Sequence, residues 1–249
     1  MIYKNFIFIH IPKTGGSSIR SSLSDNYELI HNASEVNFQQ LGYNDSNEKF
    51  EKYDFTIHSF KDHLPYQLIA RKKYFPKYKF TFIRNPYSRA VSLYYECISA
   101  ELHQNNLGIS KNVSFEDFLS LLIKNQYWFT IPMIDYIGEN NLNYIDDIFK
   151  FEDFDDGIYK LKKKIKISIK HHNYNNVAAS INKFSDYRSY YSNKENIKKV
   201  NFLYKKDLDY FNYDFDKFIR FENKKMNIFT ILQRILKRKF SNFFNYNYE

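Results

Sequence analysis

Apolar and polar residues alternate along this chain in a pattern that predicts strands followed by helices. The run Asn5–Ile11 predicts a first strand, and Ile19 and Leu23 follow it at helical spacing. Residues 53–58 alternate apolar and polar side chains, which indicates a second strand. A third strand is predicted at Lys79–Ile83, because an Arg-Asn-Pro sequence then stops the apolar run.

The rest of the chain continues the alternation. From Pro86, apolar residues at helical spacing predict a helix that includes Leu102, and residues 103–113 are predicted to form a polar loop. Ser114 and Asp117 have the spacing of a capping-box variant, which predicts the start of another helix. The remaining predictions are a short helix at 64–76, a short strand at 149–151, a helix at 155–167, a loop-rich segment at 171–193 and a basic amphipathic helix at 228–243. Strands alternating with helices are typical of an α/β fold with a mainly parallel sheet.

Composition narrows the class of protein. The 249 residues are enough for one domain with extensions, and a 20% aromatic content excludes a disordered chain. A single cysteine, Cys97, excludes an intrachain disulfide framework and fits a reducing compartment. No apolar stretch approaches the ~18 residues of a transmembrane helix, and the first strand begins too early for a cleavable signal peptide. We therefore expect a cytoplasmic protein.

The net charge of +9 indicates an anionic partner. Because the basic residues are scattered and no nucleic-acid-binding motif is present, we expect no nucleic acid partner. A small anionic ligand together with an anionic acceptor explains the charge equally well. The basic helix predicted at 228–243 would be able to lie on an anionic membrane surface, or alternatively to pack on the domain as a terminal helix.

A candidate phosphate site follows the first strand. The turn there reads Lys13, Thr14, Gly15, Gly16, Ser17 and Ser18. Backbone N–H groups at a helix start favour an anion, and glycines allow it a close approach. Lys13 adds a positive charge, and the serine and threonine residues add hydroxyl donors. The order differs from the loop of nucleotide hydrolases, because here the lysine precedes the glycines.

Two more strand ends carry polar residues suited to the same anionic site. In open parallel sheets ligands bind beyond the carboxyl ends of the strands, where the sequence puts Lys13, His58 and Arg84. Ser92 lies on the following helix, on the same face as Ser88, and a guanidinium with a hydroxyl suits a phosphate. The alternative is that Arg84 pairs with a carboxylate and that Ser92 is exposed to solvent.

The segments His10–Ser18 and Phe82–Ser92 resemble the two signature motifs of sulfotransferases that use 3′-phosphoadenosine 5′-phosphosulfate (PAPS). The likeness is to the Golgi-type and bacterial carbohydrate branch, which contains the heparan sulfate 2-O and chondroitin enzymes. It covers roughly residues 5–215. Diffuse likenesses follow in the family's order, at Phe115–Phe118, Trp128, Phe149–Asp153, Tyr187–Ser192, Asp207, Phe211 and Tyr213.

The resemblance implies a fold, a donor and a domain organisation. The fold would be a P-loop-like three-layer sandwich, a central mainly parallel sheet flanked by helices, over residues 1–222, with 223–249 a basic C-terminal tail. Lys13–Ser18 would bind the 5′-phosphate of PAPS, and Arg84 and Ser92 its 3′-phosphate. The reaction would move the sulfuryl group to a hydroxyl of a carbohydrate or glycolipid acceptor, leaving the product 3′,5′-adenosine bisphosphate (PAP). No metal is required, and no Cys or His spacing indicates one.

Two residues are the candidates for catalysis. Lys13 is suited to stabilising the bridging oxygen of the leaving group, because negative charge grows on that oxygen as the bond to sulfur breaks. His58 is suited to the role of general base, because a histidine with an unperturbed pKa near ~6.5 is able to accept a proton at neutral pH. Its position also resembles that of the histidine base in the 2-O branch, whereas other branches use a glutamate. His63 is the next candidate, and a structural role is the alternative for either. His10 is expected to be structural.

Other residues and functions remain open from the sequence. Trp128 is expected in the core rather than on a sugar ring, and Glu101 and His103 are candidates for the acceptor cleft. An inactive nucleotide- or glycan-binding module is the alternative function. A kinase or NTPase is less favoured, since the Gly-Lys-Thr order is missing.

Overall fold

A computed structural model describes parts of the chain between residues 1 and 215. The described residues are 1–3, 5–24, 29–31, 63, 78–165 and 187–215. They all belong to one compact unit, Met1–Phe215. The predicted strand at 53–58, the helices at 64–76 and 228–243, His58, and most of the predicted loop at 171–193 lie outside them. The division into 1–222 and 223–249 stays a prediction.

Five strands of the described part form one sheet in the order β3-β1-β2-β4-β5. They are β1 (Ile2–Tyr3), β2 (Phe6–Ile9), β3 (Leu29–His31), β4 (Tyr78–Ile83) and β5 (Asp147–Lys150). Strands β2, β4 and β5 run parallel, whereas β1 pairs antiparallel with both β2 and β3. The predicted strands at Asn5–Ile11, Lys79–Ile83 and 149–151 are thus confirmed with shifted bounds.

Eight α-helices lie in the described residues. They are α1 (Gly16–Ser24), α2 (Pro86–Ser99), α3 (Glu101–Leu107), α4 (Phe115–Lys124), α5 (Met133–Ile137), α6 (Phe154–Ile165), α7 (Lys194–Leu203) and α8 (Lys205–Phe211). Short 3-10 helices occur at Trp128–Thr130, Glu139–Tyr144, Phe151–Asp153 and Tyr187–Tyr191. Over the described part of the chain, no helix has both the length and the apolar character needed to cross a bilayer.

Helices cover both faces of the sheet, because alternate residues of a strand point to opposite sides. Phe6 and Phe8 of β2 pack with aromatic residues of β4 and β5 and with apolar residues of α1 and α6. Ile7 and Ile9 belong to a second cluster, formed with α2, α4 and α5. Fully burying one such side chain stabilises the fold by about 1.5–3 kcal/mol. The predicted three-layer α/β sandwich with parallel central strands is confirmed.

The prediction of a polar loop at 103–113 is wrong for its first half, because residues 103–107 belong to helix α3. Helix α2 ends at Ser99, and the extended backbone of Ala100 separates it from α3, which starts at Glu101. Leu102, predicted in the apolar stripe of α2, is 51% exposed, whereas His103 and Leu107 of α3 are buried. Gly108 then ends α3 in the left-handed conformation that glycine adopts without strain.

Candidate active site

Three consecutive carbonyl groups in the loop between β2 and α1 are held by side chains. Each accepts one hydrogen bond: Ile11 O from Thr14 Oγ1 at 3.0 Å, Pro12 O from Arg89 Nε at 3.0 Å, and Lys13 O from Arg84 Nη1 at 3.2 Å. In a planar trans peptide the N–H points opposite to the carbonyl. The N–H groups of Lys13 and Thr14 therefore point away from the two arginines. The loop turns its acceptors inward and its donors outward.

The backbone of this loop alternates in φ. Lys13 has φ +64° and Gly15 has φ +88°, whereas Thr14 between them is not in the positive-φ region. Such alternation turns successive N–H groups toward one concave surface, which is an arrangement that binds anions. A left-handed lysine costs roughly 1–2 kcal/mol. The bond from Arg84 to the Lys13 carbonyl holds this strained residue in place.

Both glycines of the loop are required by close packing. A Cβ on Gly15 would lie 2.9 Å from ring carbons of Phe151 and Phe154. A Cβ on Gly16, the first residue of α1, would lie 2.0 Å from Cδ2 of His10. The close approach brings the N-terminus of α1 down onto the end of β2. The loop is compact for this reason.

The hydroxyl groups of the loop have different surroundings. The Thr14 hydroxyl donates its hydrogen to Ile11 O, and the residue is fully buried. Ser17 is exposed, and Ser18 is buried in the first turn of α1. A hydroxyl has one hydrogen to donate, so Thr14 closes the turn in this arrangement, and the two serines lie at the helix start.

Arg84 lies at the carboxyl end of β4 and connects the loop to helix α2. Its Nε donates to Ser88 Oγ at 3.0 Å, and its guanidinium carbon lies 4.4 Å above the Phe151 ring. Burial lowers the pKa of Arg84 to about 10, although the nearby Glu152 carboxylate opposes that shift. The guanidinium therefore stays charged at neutral pH. The buried cation favours a nearby anion.

Asn85 sets the direction of helix α2. Its side-chain Oδ1 accepts hydrogen bonds from the N–H groups of Tyr87 at 2.9 Å and Ser88 at 3.4 Å, and Pro86 occupies the first helical position. The Asn85 N–H in turn donates to Glu152 at 2.6 Å. This cap holds Arg84 at the point where strand and helix meet.

One face of α2 carries Ser88, Ser92 and Glu96 at four-residue intervals. Ser92 is only 3% exposed, so the alternative of a solvent-exposed serine is wrong. Ser88 bonds Arg84 at one end of this face, and Glu96 bonds Lys13 at the other. The face therefore runs along the loop between β2 and α1.

Lys13 forms an ion pair with Glu96, in which Nζ donates to Oε2 at 2.7 Å. Burial raises the pKa of Glu96. The hydrogen bond and charge of Lys13, with smaller contributions from His103 and His63, outweigh burial and hold that pKa below its ordinary value. Glu96 is thus ionised at neutral pH beside the site lysine. Glu96 could not be recognised as a site residue from the sequence alone.

Two histidines lie together at the end of β2. His63 Nδ1 is 2.8 Å from the backbone carbonyl of His10, and the two rings are 4.1 Å apart. A carbonyl oxygen only accepts, so Nδ1 of His63 carries the hydrogen and Nε2 is the basic nitrogen of the neutral ring. His10 is buried, and burial, followed by the charge of His63, holds its pKa well below the ordinary value. His10 has the structural surroundings expected of it.

The residues considered for contact with the acceptor differ in their exposure to solvent. Trp128 is buried in the core with Phe129, as expected. His103 is also buried, with Nδ1 2.7 Å from the Tyr127 hydroxyl, whereas Glu101 is exposed. No group of three metal-ligating side chains occurs among the described residues.

Two buried residues that the sequence analysis did not single out as site residues support the site from behind. Arg89 is fully buried, and besides Pro12 O it contacts Ile131 O through Nη1 at 3.0 Å. Asp207 accepts the N–H groups of Met133 and Ile134, both at 2.8 Å, and so caps α5. Burial raises the pKa of Asp207 to about 6, although the Arg89 charge opposes the shift. The sequence signal for Arg89 was its place within Phe82–Ser92, the second segment that resembles a family motif.

The structure brings Lys13–Ser18 and Arg84 together at the carboxyl ends of β2 and β4. Ser92 is buried on α2, one turn after the Ser88 that bonds Arg84, whereas His58 lies outside the described residues. A family model described as "Sulfotransferase family" matches residues 3–214. No curated protein matches the chain significantly. The family match includes the β2–α1 loop, Arg84 and the whole of helix α2, and this chain therefore belongs to the sulfotransferase family.

Proposed function

We propose that this sulfotransferase moves the sulfuryl group of PAPS to a hydroxyl of a carbohydrate acceptor. One observation carries the proposal: the Arg84 guanidinium contacts both Ser88 on α2 and the Lys13 carbonyl in the β2–α1 loop. A single buried cation thereby joins the two segments that resemble the phosphate-binding motifs of the family. A donor with two separate phosphate groups would place one on the β2–α1 loop and the other beside Arg84 and α2.

The residues present fit a doubly phosphorylated donor. The outward N–H groups of the β2–α1 loop, with Ser17 and Ser18 at the start of α1, would hold the 5′-phosphate. Arg84 and Ser92 would hold the 3′-phosphate, since a guanidinium fork binds two oxygens at once. When bound, PAPS supplies the sulfuryl group and a phosphate leaving group. Thr14 shapes the loop in this proposal, because its hydroxyl hydrogen is donated to Ile11 O.

Lys13 is the candidate for stabilising the leaving oxygen. Its ammonium is part-buried, and its backbone is fixed by the bond from Arg84. A cation held beside the site where negative charge develops lowers the barrier more than a mobile one. The electrostatic role of Lys13 therefore depends on the rigid loop that carries it.

A histidine would take the proton from the acceptor hydroxyl. His58 was the first candidate from the sequence, and His63 was the second. The contact of His63 Nδ1 with the His10 carbonyl supports His63, because it orients the ring and leaves Nε2 as the basic nitrogen. His63 is therefore a second candidate with a defined tautomer.

The carbohydrate acceptor rests on the resemblance to the carbohydrate branch. Labelled PAPS, incubated with the protein and a panel of polysaccharide, glycolipid and small hydroxyl acceptors, tests the whole proposal through sulfate transfer and PAP release. Transfer to a sugar hydroxyl is expected. Donor binding without transfer to any acceptor would favour an inactive binding module, and ATP that outcompetes PAP would overturn the proposal.

Matched variants decide which histidine is the base. His58→Asn and His63→Asn are each compared with the wild type in kcat and in PAP affinity. Loss of kcat with unchanged PAP affinity identifies the base, because a proton acceptor contributes little to donor binding. If neither variant lowers kcat, neither His58 nor His63 is the base.

A further inference from the structure

The ion pair between Lys13 and Glu96 joins two segments far apart in the sequence. Nζ of Lys13 lies 2.7 Å from Oε2 of Glu96 across 83 residues of chain. Both side chains are partly accessible, at 27% for Lys13 and 42% for Glu96. An approaching anion is therefore able to reach the ammonium without displacing the core.

Glu96 ends a face of α2 that begins at Ser88, beside Arg84. Ser88 bonds the Arg84 guanidinium, Ser92 follows one turn later, and Glu96 follows one turn after that. The carboxylate is thus separated from the Arg84 end by about two helical turns. In the proposed function it lies at the reacting end of the donor site.

The charges at this end oppose each other. Lys13 gives the β2–α1 loop a full positive charge, and Glu96 cancels that charge at hydrogen-bond distance. The hydrogen bond and charge of Lys13 hold the pKa of Glu96 below its ordinary value against the effect of burial, so the carboxylate stays ionised. An anionic donor meets a lysine whose charge is already neutralised.

We propose that Glu96 is a positioning residue that holds the Lys13 ammonium in the donor-free enzyme and competes with the donor for it. The inference rests on the proposed function. On donor binding the ammonium exchanges the carboxylate for a donor oxygen, so the lysine reaches the leaving group only when a donor is present. The pair limits donor affinity and makes the position of Lys13 dependent on the donor.

The size of the effect follows from the partial exposure of the pair. Half-exposed ion pairs are weak in water, and their loss corresponds to about a two- to fivefold change in an equilibrium constant. Glu96→Gln should therefore tighten PAP binding about two- to fivefold. The same substitution in a Lys13→Met background should change PAP affinity little, because no ammonium is left to compete for.

Isothermal titration with PAP measures this coupling in four proteins: wild type, Glu96→Gln, Lys13→Met and the double variant. Glu116→Gln is the matched control, since it breaks the Lys199–Glu116 pair, at 3.1 Å with 20% and 47% accessibility, at another surface. Its PAP affinity should equal that of the wild type. Glu96→Met, which keeps the length of the side chain without its charge, repeats the test if Glu96→Gln does not fold.

The outcomes are separable. Tightening in Glu96→Gln that disappears in the Lys13→Met background supports the inference. Unchanged affinity in Glu96→Gln overturns it, and so does tightening that persists without Lys13, which would reflect general repulsion between carboxylate and donor. Absence of PAP binding by the wild type overturns the proposed function and this inference with it.

Discussion

The guanidinium of Arg84 donates from Nη1 to the backbone carbonyl of Lys13 at 3.2 Å. This one contact ties the end of β4 to the turn after β2, two parallel neighbouring strands. The arginine thereby fixes the backbone of the residue whose side chain is the candidate for stabilising the leaving oxygen. The residue proposed to bind the 3′-phosphate thus also holds in shape the loop proposed to bind the 5′-phosphate.

Arg84→Lys should weaken PAP binding by about tenfold or more. A lysine keeps the charge but cannot reach the Ser88 hydroxyl and the Lys13 carbonyl with a planar fork, and hydrogen bonds of charged groups contribute about 1.5–3 kcal/mol each. Isothermal titration with PAP measures the loss. Arg20→Lys, on the exposed side of α1, is the control and should bind PAP as the wild type does. Equal affinity in Arg84→Lys and Arg20→Lys would contradict the role assigned to the fork.

Gly16→Ala should destabilise the fold by about 1–3 kcal/mol through overpacking, because the new methyl group would overlap the His10 ring. His10→Ala removes that ring and makes space. We therefore expect the double variant to be more stable than the sum of the two single losses predicts. Urea denaturation of the four proteins gives the coupling free energy. Strict additivity would mean that the His10 ring does not limit the size of residue 16.

Much of the fold could be predicted, because strands and helices are encoded in the spacing of apolar residues that are close in the sequence. The alternation in β2 separates Phe6 and Phe8 from Ile7 and Ile9, and the structure buries the two pairs on opposite faces of the sheet. The end of α2 could not be predicted in the same way. Ala100 breaks the helix without glycine or proline, so the sequence contained no stop signal there.

The site was predicted less completely, because much of its support comes from distant residues. Arg89 reaches Pro12 across 77 residues, and Asp207 caps α5 from 74 residues away. Neither partner can be identified from spacing, since only the folded sheet brings the segments together. Glu96 was missed for the same reason: on the sequence it is one polar residue of an amphipathic helix.

Ser114→Ala should destabilise the fold by about 1 kcal/mol. The Ser114 hydroxyl accepts the N–H of Asp117 at 3.0 Å and so caps helix α4. Ser120→Ala on the same helix is the control, because that exposed hydroxyl only donates back to the Glu116 carbonyl and alanine has the better helix propensity. Urea denaturation compares the two. A Ser120→Ala loss as large as that of Ser114→Ala would contradict the capping role.

His10 should make the fold sensitive to mild acid. Burial, followed by the charges of His63, the N-terminus and Arg20, holds the pKa of His10 well below 6.5 in the folded protein. The unfolded chain has an ordinary histidine pKa near ~6.5, so below that pH the unfolded state takes up a proton that the folded state does not. The contribution of His10 to the free energy of unfolding is therefore fully retained above pH ~6.5.

Below that pH, stability should fall by up to about 1.4 kcal/mol per pH unit on account of His10 alone. His10→Asn has no titrating ring at this position. Its free energy of unfolding should consequently depend less on pH than that of the wild type between pH ~5 and ~6.5, whatever the absolute stability of the variant. Urea denaturation at a series of pH values measures both slopes. Equal slopes in this range would show that His10 is protonated as readily in the folded protein as in the unfolded chain, contrary to its buried position.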